Sequence, residues 1–243
     1  MPESDGSKVM PEDRNRELGK QLLPLLLDMS SKLVVIFGGG NVGERKARLF
    51  SGHAHVLVVA QDFAPGFKEM EKDLELVHAD LSLGFERYLD CAFLAIPATS
   101  DSELNRTIEQ EARSRGILVN KIDGVGDVVI PSLIRKGPIS IAISTESPGL
   151  SKYLRLRIER ELTENYQEMA RLLGRIRKEL KESVPRQKDR SRIIWEILED
   201  EEVWRLLDVS YEKAYMRARS HACQDERDSL DAGDTPQGLD RRD

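Results

Sequence analysis

Apolar residues follow two rhythms along this chain. In the first half they gather in short runs: KLVVIF (Lys32 to Phe37), AHVLVVA (Ala54 to Ala60), LELVHAD (Leu74 to Asp80), CAFLAIPA (Cys91 to Ala98) and ILVN (Ile117 to Asn120). Short, β-branched and apolar on consecutive positions, these runs read as buried parallel strands. Helix-like stretches separate them. Asn41 to Ser51 carries Val42, Ala47, Leu49 and Phe50 as inward positions, APGFKEMEKD reads as a turn and short helix, and Ser100 to Gly116 reads as a helix. In that last helix Glu103 is placed for a capping box and Gly116 for the stop. Alternating strands and helices predict a parallel sheet covered on both faces.

The second half reads differently. Asp127 to Gly149 holds two strand-like runs joined by Arg135-Lys136-Gly137-Pro138, which predicts an antiparallel pair. From Leu150, apolar residues recur every three or four positions through Ile158, Leu162, Tyr166, Met169 and Ile176 to Leu180, which predicts one long amphipathic helical face ending before Pro185. Further helices are expected around Ile193 to Leu198 and Val203 to Leu207. LPLLLDM, ahead of the first strand, reads as an edge strand or an extended lead-in. Residues 1–20 are polar and aperiodic, and 224–243 carry seven Asp or Glu against three Arg, so both ends are expected to be disordered tails.

Composition narrows the class. Charged residues make up 33% of the 243 positions and the net charge is -6, which argues against a dedicated nucleic-acid binder. No apolar run approaches the roughly 18 residues needed to span a bilayer. The polar start lacks a hydrophobic signal core. The two cysteines, Cys91 and Cys223, lack metal or disulfide spacing. A cytoplasmic protein without membrane or nucleic-acid partners is expected.

Candidate chemistry concentrates where the first strand ends. Gly38, Gly40 and Gly43 satisfy G-x-G-x-x-G between a strand and a helix. Gly38 permits a tight turn, Gly40 lets a pyrophosphate approach the backbone, and Gly43 lets the helix pack close to the strand. The amides of Asn41 and Val42 would face the phosphates at the positive end of the helix. The second strand ends at Gln61-Asp62. Asp62 is the available carboxylate for the adenosine ribose, 24 residues after Gly38 against the usual ~20. Gln61 is its neutral alternative. No Arg or Lys follows immediately to hold a 2′-phosphate, which favours NAD over NADP. The four histidines, His53, His55, His78 and His221, form no cluster at metal-ligand spacing, so no metal site is expected.

FGGGNVGERKARLF, with Arg45-Lys46 inside the helix, resembles the precorrin-2 dehydrogenase module of siroheme synthases. VLVVAQDF, LAIPATSDSELN, VNKIDGVGDVVIPSLIRKGPISIAIST and SPGLSKYLRLRIE are similar to later family stretches in the same order, from about Leu22 to Glu161. The resemblance implies an α/β fold of three parts: a Rossmann-type parallel sheet domain, a small α+β dimerisation domain and a C-terminal helical domain. Here they fall at 21–131, 132–161 and 162–223. It implies a homodimer that oxidises precorrin-2 to sirohydrochlorin with NAD. Some family members also insert ferrous iron, so a bifunctional dehydrogenase and ferrochelatase stays open, as does a non-catalytic NAD-sensing module.

Carried across, Asn41 and Val42 match the pyrophosphate positions, Gln61 and Asp62 the ribose positions, and Ala98 and Thr99 the turn lining the cofactor site. Asp123 matches the family's catalytic acid. It also lies just beyond the fifth strand, where open α/β sheets bind ligands. The family substrate is polyanionic. Residues 151–192 hold 13 Lys or Arg against seven Asp or Glu, and Lys152, Arg155 and Arg157 open that basic segment as candidate propionate ligands. The chain departs from the family pattern at Gly43, which replaces Ala, at a shortened STESP loop, and at Gly124 and Gly126, which replace a Pro-rich stretch. It lacks a methyltransferase domain, so methylation of uroporphyrinogen is not expected.

Overall fold

The computed structural model describes residues 22–231, with side chains through residue 222; the expected tail at 1–20 lies outside the described residues. The chain divides into two compact units, one ending at Ile130 and one beginning at Pro131.

The first unit is built on five parallel strands: β1 (Leu33–Phe37), β2 (His55–Ala60), β3 (Glu75–His78), β4 (Ala92–Pro97) and β5 (Leu118–Val119), in the order β3-β2-β1-β4-β5. Helix α1 (Asn41–Phe50) joins β1 to β2, and α2 (Ser102–Ser114) joins β4 to β5. Alternation along the strands sends Val35, Phe37, Ala95 and Val119 to one face, where Ile108 and Ala112 of α2 cover them. Val34, Ile36, Val58 and Ile96 point to the other, where Ala47 of α1 and Phe67 and Met70 of a 3-10 helix (Pro65–Met70) pack. Both faces are therefore dry, which is why the strands read as continuous apolar runs. The connections run outward in opposite directions from the β1/β4 pair, which places a crevice at the carboxyl ends of those two strands.

One local expectation needs correction here, and another is decided between its two alternatives. Asp101 caps α2, accepting from the amides of Glu103 (2.8 Å) and Leu104 (3.1 Å). Glu103 then stands one position too early for a capping box, and it pairs with Arg106 instead. LPLLLDM joins no sheet. It is an extended lead-in with Leu23 and Leu26 76% and 86% exposed.

The second unit opens with an antiparallel pair, β6 (Ser132–Lys136) and β7 (Ile139–Ile143), joined by Gly137-Pro138 with Gly137 at φ +54. Five helices follow: α3 (Pro148–Glu161), α4 (Glu164–Ser183), α5 (Gln187–Glu199), α6 (Glu201–Leu207) and α7 (Tyr211–Asp231). The single long face expected from Leu150 to Leu180 is thus broken in two. Lys136 donates from Nζ to the carbonyls of Glu159 (2.9 Å) and Leu162 (2.6 Å), satisfying helix-end acceptors that a continuing helix would use. Thr163 is extended. Only the α4 part of that face enters the core, through Met169, Leu172, Ile176 and Leu180; Leu150 and Tyr166 are exposed. Helix α7 continues past Cys223 to Asp231, so the expected tail begins as helix. Its polar residues are compatible with the i to i−4 ladder, and 232–243 lie outside the described residues.

Asp200 pins this helical core. It accepts from the Glu202 amide at the start of α6 (2.9 Å) and from Arg217 Nε (2.7 Å), and it lies 2.8 Å from His221 Nε2 of α7. Burial raises its carboxyl, but the bonds from His221, Arg217 and the amide outweigh that and hold it below its ordinary value. A depressed native value stabilises the fold fully above the unfolded carboxyl's value of about 3.9 and is lost as pH falls through the native one. Asp200→Asn is therefore expected to lower the urea midpoint more at neutral pH than in acid, the gap to the parent narrowing as pH falls below about 3.9 through the native value. A gap unchanged between those conditions would contradict this role.

Candidate functional site

The turn after β1 is made of backbone packed against backbone. Gly38 has φ +123, and a Cβ there would collide with the Ala98 carbonyl oxygen and lie 2.9 Å from the Thr99 nitrogen. Its amide donates to the Val59 carbonyl at 2.9 Å. Gly39 leaves no room either, because its neighbours are the Asp62 carbonyl and the Phe63 ring. Gly43 packs directly over the Gly38 carbonyl and Ile36. Gly40 is the exception: nothing lies within 4 Å of a Cβ built on it. Three of these glycines thus serve close packing, and Gly40 faces open space at the sheet's carboxyl edge.

Gly40 is also the N-cap of α1, and no side chain caps that end. Helices α2, α3 and α6 are capped by Asp101, Ser147 and Asp200, whereas α4 and α5, like α1, begin without a side-chain cap; α1 differs from those two in starting on a glycine at the sheet's carboxyl edge. The first amides of α1, at Asn41 and Val42, therefore stand at an uncapped positive helix end beside an open surface, which suits an anion. Lys46, one turn further along, is half-buried. Burial, then the neighbouring Arg45 charge, draws its ammonium below the ordinary lysine value.

The end of β2 borders this turn. Ala64 donates to the Gly39 carbonyl (2.8 Å), which brings Gln61 and Asp62 alongside the glycines, both exposed. His78 Nδ1 lies 3.0 Å from the Gln61 carbonyl, and its ring meets Phe63 edge-on at 4.8 Å. The end of β4 forms the other wall. Ala98 is buried and donates to the Phe37 carbonyl at 2.7 Å. Asn105 of α2 grips Thr99 on both sides: its Oδ1 accepts from the Thr99 amide (3.0 Å) and its Nδ2 donates to the Thr99 carbonyl (3.0 Å). Both backbone groups of Thr99 are therefore occupied, and the turn is rigid. Asn105 was not singled out from sequence, although it stands in the LN pair that closes the SDSELN stretch.

Asp123 follows β5 at the same edge of the sheet. It is exposed and has no hydrogen-bond or ion-pair partner among the described residues. Gly38, Gly40, Asn41, Val42, Gln61, Asp62, Ala98 and Thr99 are brought together around the crevice, and Asp123 lies on the β5 side of it. Lys152, Arg155 and Arg157 belong to α3 in the second unit. Arg155 is paired within its helix to Glu159 at 2.7 Å, whereas Lys152 and Arg157 are exposed. Among the described residues no group of three or more His, Cys, Asp or Glu is arranged to hold a metal ion, and no helix is long and apolar enough to cross a membrane.

Comparison with known proteins gives this geometry its context. Residues 25–132 match a family model described as putative NAD(P)-binding. The chain is 47% identical over 204 residues to the precorrin-2 dehydrogenase of Methanosarcina barkeri, an alignment covering 81% of this chain and 91% of that protein. It is 36% identical over 179 residues to the siroheme synthase of Zymomonas mobilis, of which it spans only 38%. Among solved structures, SirC, a precorrin-2 dehydrogenase, superposes with a TM-score of 0.65 at 23% identity, over 82% of this chain and all of that one, a likeness of fold.

The four glycines separate stability from binding. Gly40→Val should leave the melting temperature near the parent's and weaken NAD binding by about tenfold or more, about 1.4 kcal/mol, measured by titration calorimetry. Gly38→Ala should instead destabilise the fold, through the clash with Ala98 and a φ that L-residues avoid. Undiminished NAD affinity in Gly40→Val would rule out the turn as the pyrophosphate seat.

Proposed function

The chain belongs to the precorrin-2 dehydrogenase family, and from that premise we propose that it oxidises precorrin-2 to sirohydrochlorin with NAD as the electron acceptor. The observation that supports this most is the pairing of an uncapped, glycine-built helix start with an unpartnered carboxylate at the same edge of one sheet. The fit to the cofactor rests on the cradle itself. Gly40 keeps the surface clear of side chains, and the Asn41 and Val42 amides would hold the pyrophosphate. Gln61 and Asp62 would hold the ribose, where the chain carries no Lys or Arg before Lys68. Ala98 and Thr99 would line the nicotinamide side.

When bound, NAD supplies a two-electron oxidant that accepts a hydride. The chain's residues orient that exchange and manage the proton. Loss of a hydride leaves the macrocycle one proton too rich, and Asp123 takes that proton, giving sirohydrochlorin, NADH and H⁺. The substrate's carboxylates call for cations, and on α3 Lys152 and Arg157 are exposed and available for that part, whereas Arg155 is paired to Glu159.

We further propose that the working form is a cytoplasmic homodimer. The β6–β7 pair is only two strands, too few for an independent sheet, and α3 exposes Leu150, Tyr153 and Leu156. Light scattering is expected to give twice the chain mass of 27.5 kDa, and a monomer would refute this assembly.

Asp123→Ala tests the chemistry. It should bind NAD as the parent does and lose about 10² to 10⁴ in kcat, followed optically through NADH and sirohydrochlorin. A parent-like rate would remove Asp123 from the reaction.

A further inference from the structure

Asp123 stands on a short loop that leaves β5 and returns to it. The amides of Asp127 and Val128 both donate to the Val119 carbonyl, at 2.9 and 3.1 Å. Asn120, 3% exposed, donates from Nδ2 to the Val128 carbonyl at 2.8 Å. The return is close enough that a Cβ on Gly126 would strike the Val119 carbonyl and sit 2.9 Å from the Lys121 amide nitrogen, and Gly124 turns the chain at φ +101. The loop is thus closed by backbone at its base.

Its two ends are also tied to α2. Lys121 Nζ lies 3.0 Å from Glu109 Oε2, just before Asp123. Just after it, Asp127 Oδ2 accepts from Arg113 Nε and from the Val119 amide, both at 3.2 Å. Arg113 Nη1 lies 3.6 Å from the same Glu109 oxygen. Glu109 is 8% exposed, a carboxylate that must be paired at such burial. One buried acid on the helix therefore joins Lys121, two residues before Asp123, to Arg113, which holds Asp127 four residues after it. Only Ile122 to Gly126 lie between the anchors.

We propose that Glu109, acting through Lys121 and through Arg113 with Asp127, is a positioning residue for Asp123, fixing the height and direction from which its carboxylate meets the substrate's proton. Glu109 touches neither substrate nor cofactor. This inference rests on the reading of Asp123 as proton acceptor. A displacement of about 1 Å in a reacting group costs on the order of a hundredfold in rate, so losing the anchor shows in kcat. An ordinary helix-to-loop ion pair would instead affect thermal stability and NAD affinity together with the rate.

The test compares the full-length parent, Glu109→Gln, Asp123→Ala and the double variant, with Lys121→Met as a milder cut of the same anchor should Glu109→Gln fold poorly. Each is measured for kcat at saturating precorrin-2 and NAD, for NAD affinity, and for hydrogen exchange across 121–127. Glu109→Gln is expected to lose about tenfold or more in kcat with NAD affinity held, and to exchange faster across the loop. The double variant is expected to be no slower than Asp123→Ala. Parent-like kcat and exchange in both anchor variants, or losses that multiply in the double variant, would overturn the inference while leaving Asp123 in place. A parent-like rate in Asp123→Ala would overturn the reading of Asp123 and this inference with it.

Discussion

The site depends on one close approach: the Gly38 backbone lies against the Ala98 carbonyl while its amide bonds to Val59. That contact draws the ends of β1, β2 and β4 to a single point. No side chain fits there, and Gly43 extends the same condition into α1 by packing over the Gly38 carbonyl. Helix α1 consequently begins directly over the crevice where the strand connections diverge. A Cβ at Gly38 or Gly43 would push the helix away from the sheet and separate its amides from the walls formed by Gln61 to Phe63 and by Thr99.

Around that point the work is divided between two kinds of structure. The binding surface is built of backbone, open at Gly40 and bounded by rigid turns such as Thr99 in the grip of Asn105. The proposed proton acceptor is a single exposed side chain, Asp123, carried on a loop tied at its base and at both ends. Such loops place reactive groups well because the scaffold fixes the ends and leaves the crest exposed. On the proposed reading, an oxidant held by backbone and a proton taken by Asp123 account for the two halves of a two-electron dehydrogenation.

The sequence made the parallel sheet legible because both its faces are dry, so each strand is apolar on consecutive positions. The glycine turn and the β6–β7 hairpin were legible for a related reason: Gly38 and Gly137 answer to backbone demands that few other residues meet. What escaped was long-range. The spacing from Leu150 to Leu180 looks continuous, and the break is seen only in the fold, where Lys136 of β6 reaches the Glu159 and Leu162 carbonyls at the end of α3. Asn105 reads as an ordinary helical residue until its partner Thr99 is seen. The Glu109 anchor joins groups that surface patterning treats as solvated charges. Asp123 was reached through family likeness and its place after a strand; its lack of a partner could be seen only in three dimensions.

The claim that the glycine turn holds the oxidant while the β5 loop handles the proton is tested most directly by a crystal structure of the chain with NAD bound. The account predicts the pyrophosphate on the Asn41 and Val42 amides over Gly40, with the nicotinamide ring on the β4 and β5 side, toward Asp123. A dinucleotide seated elsewhere, or lying with its nicotinamide over β2 and β3, would contradict it.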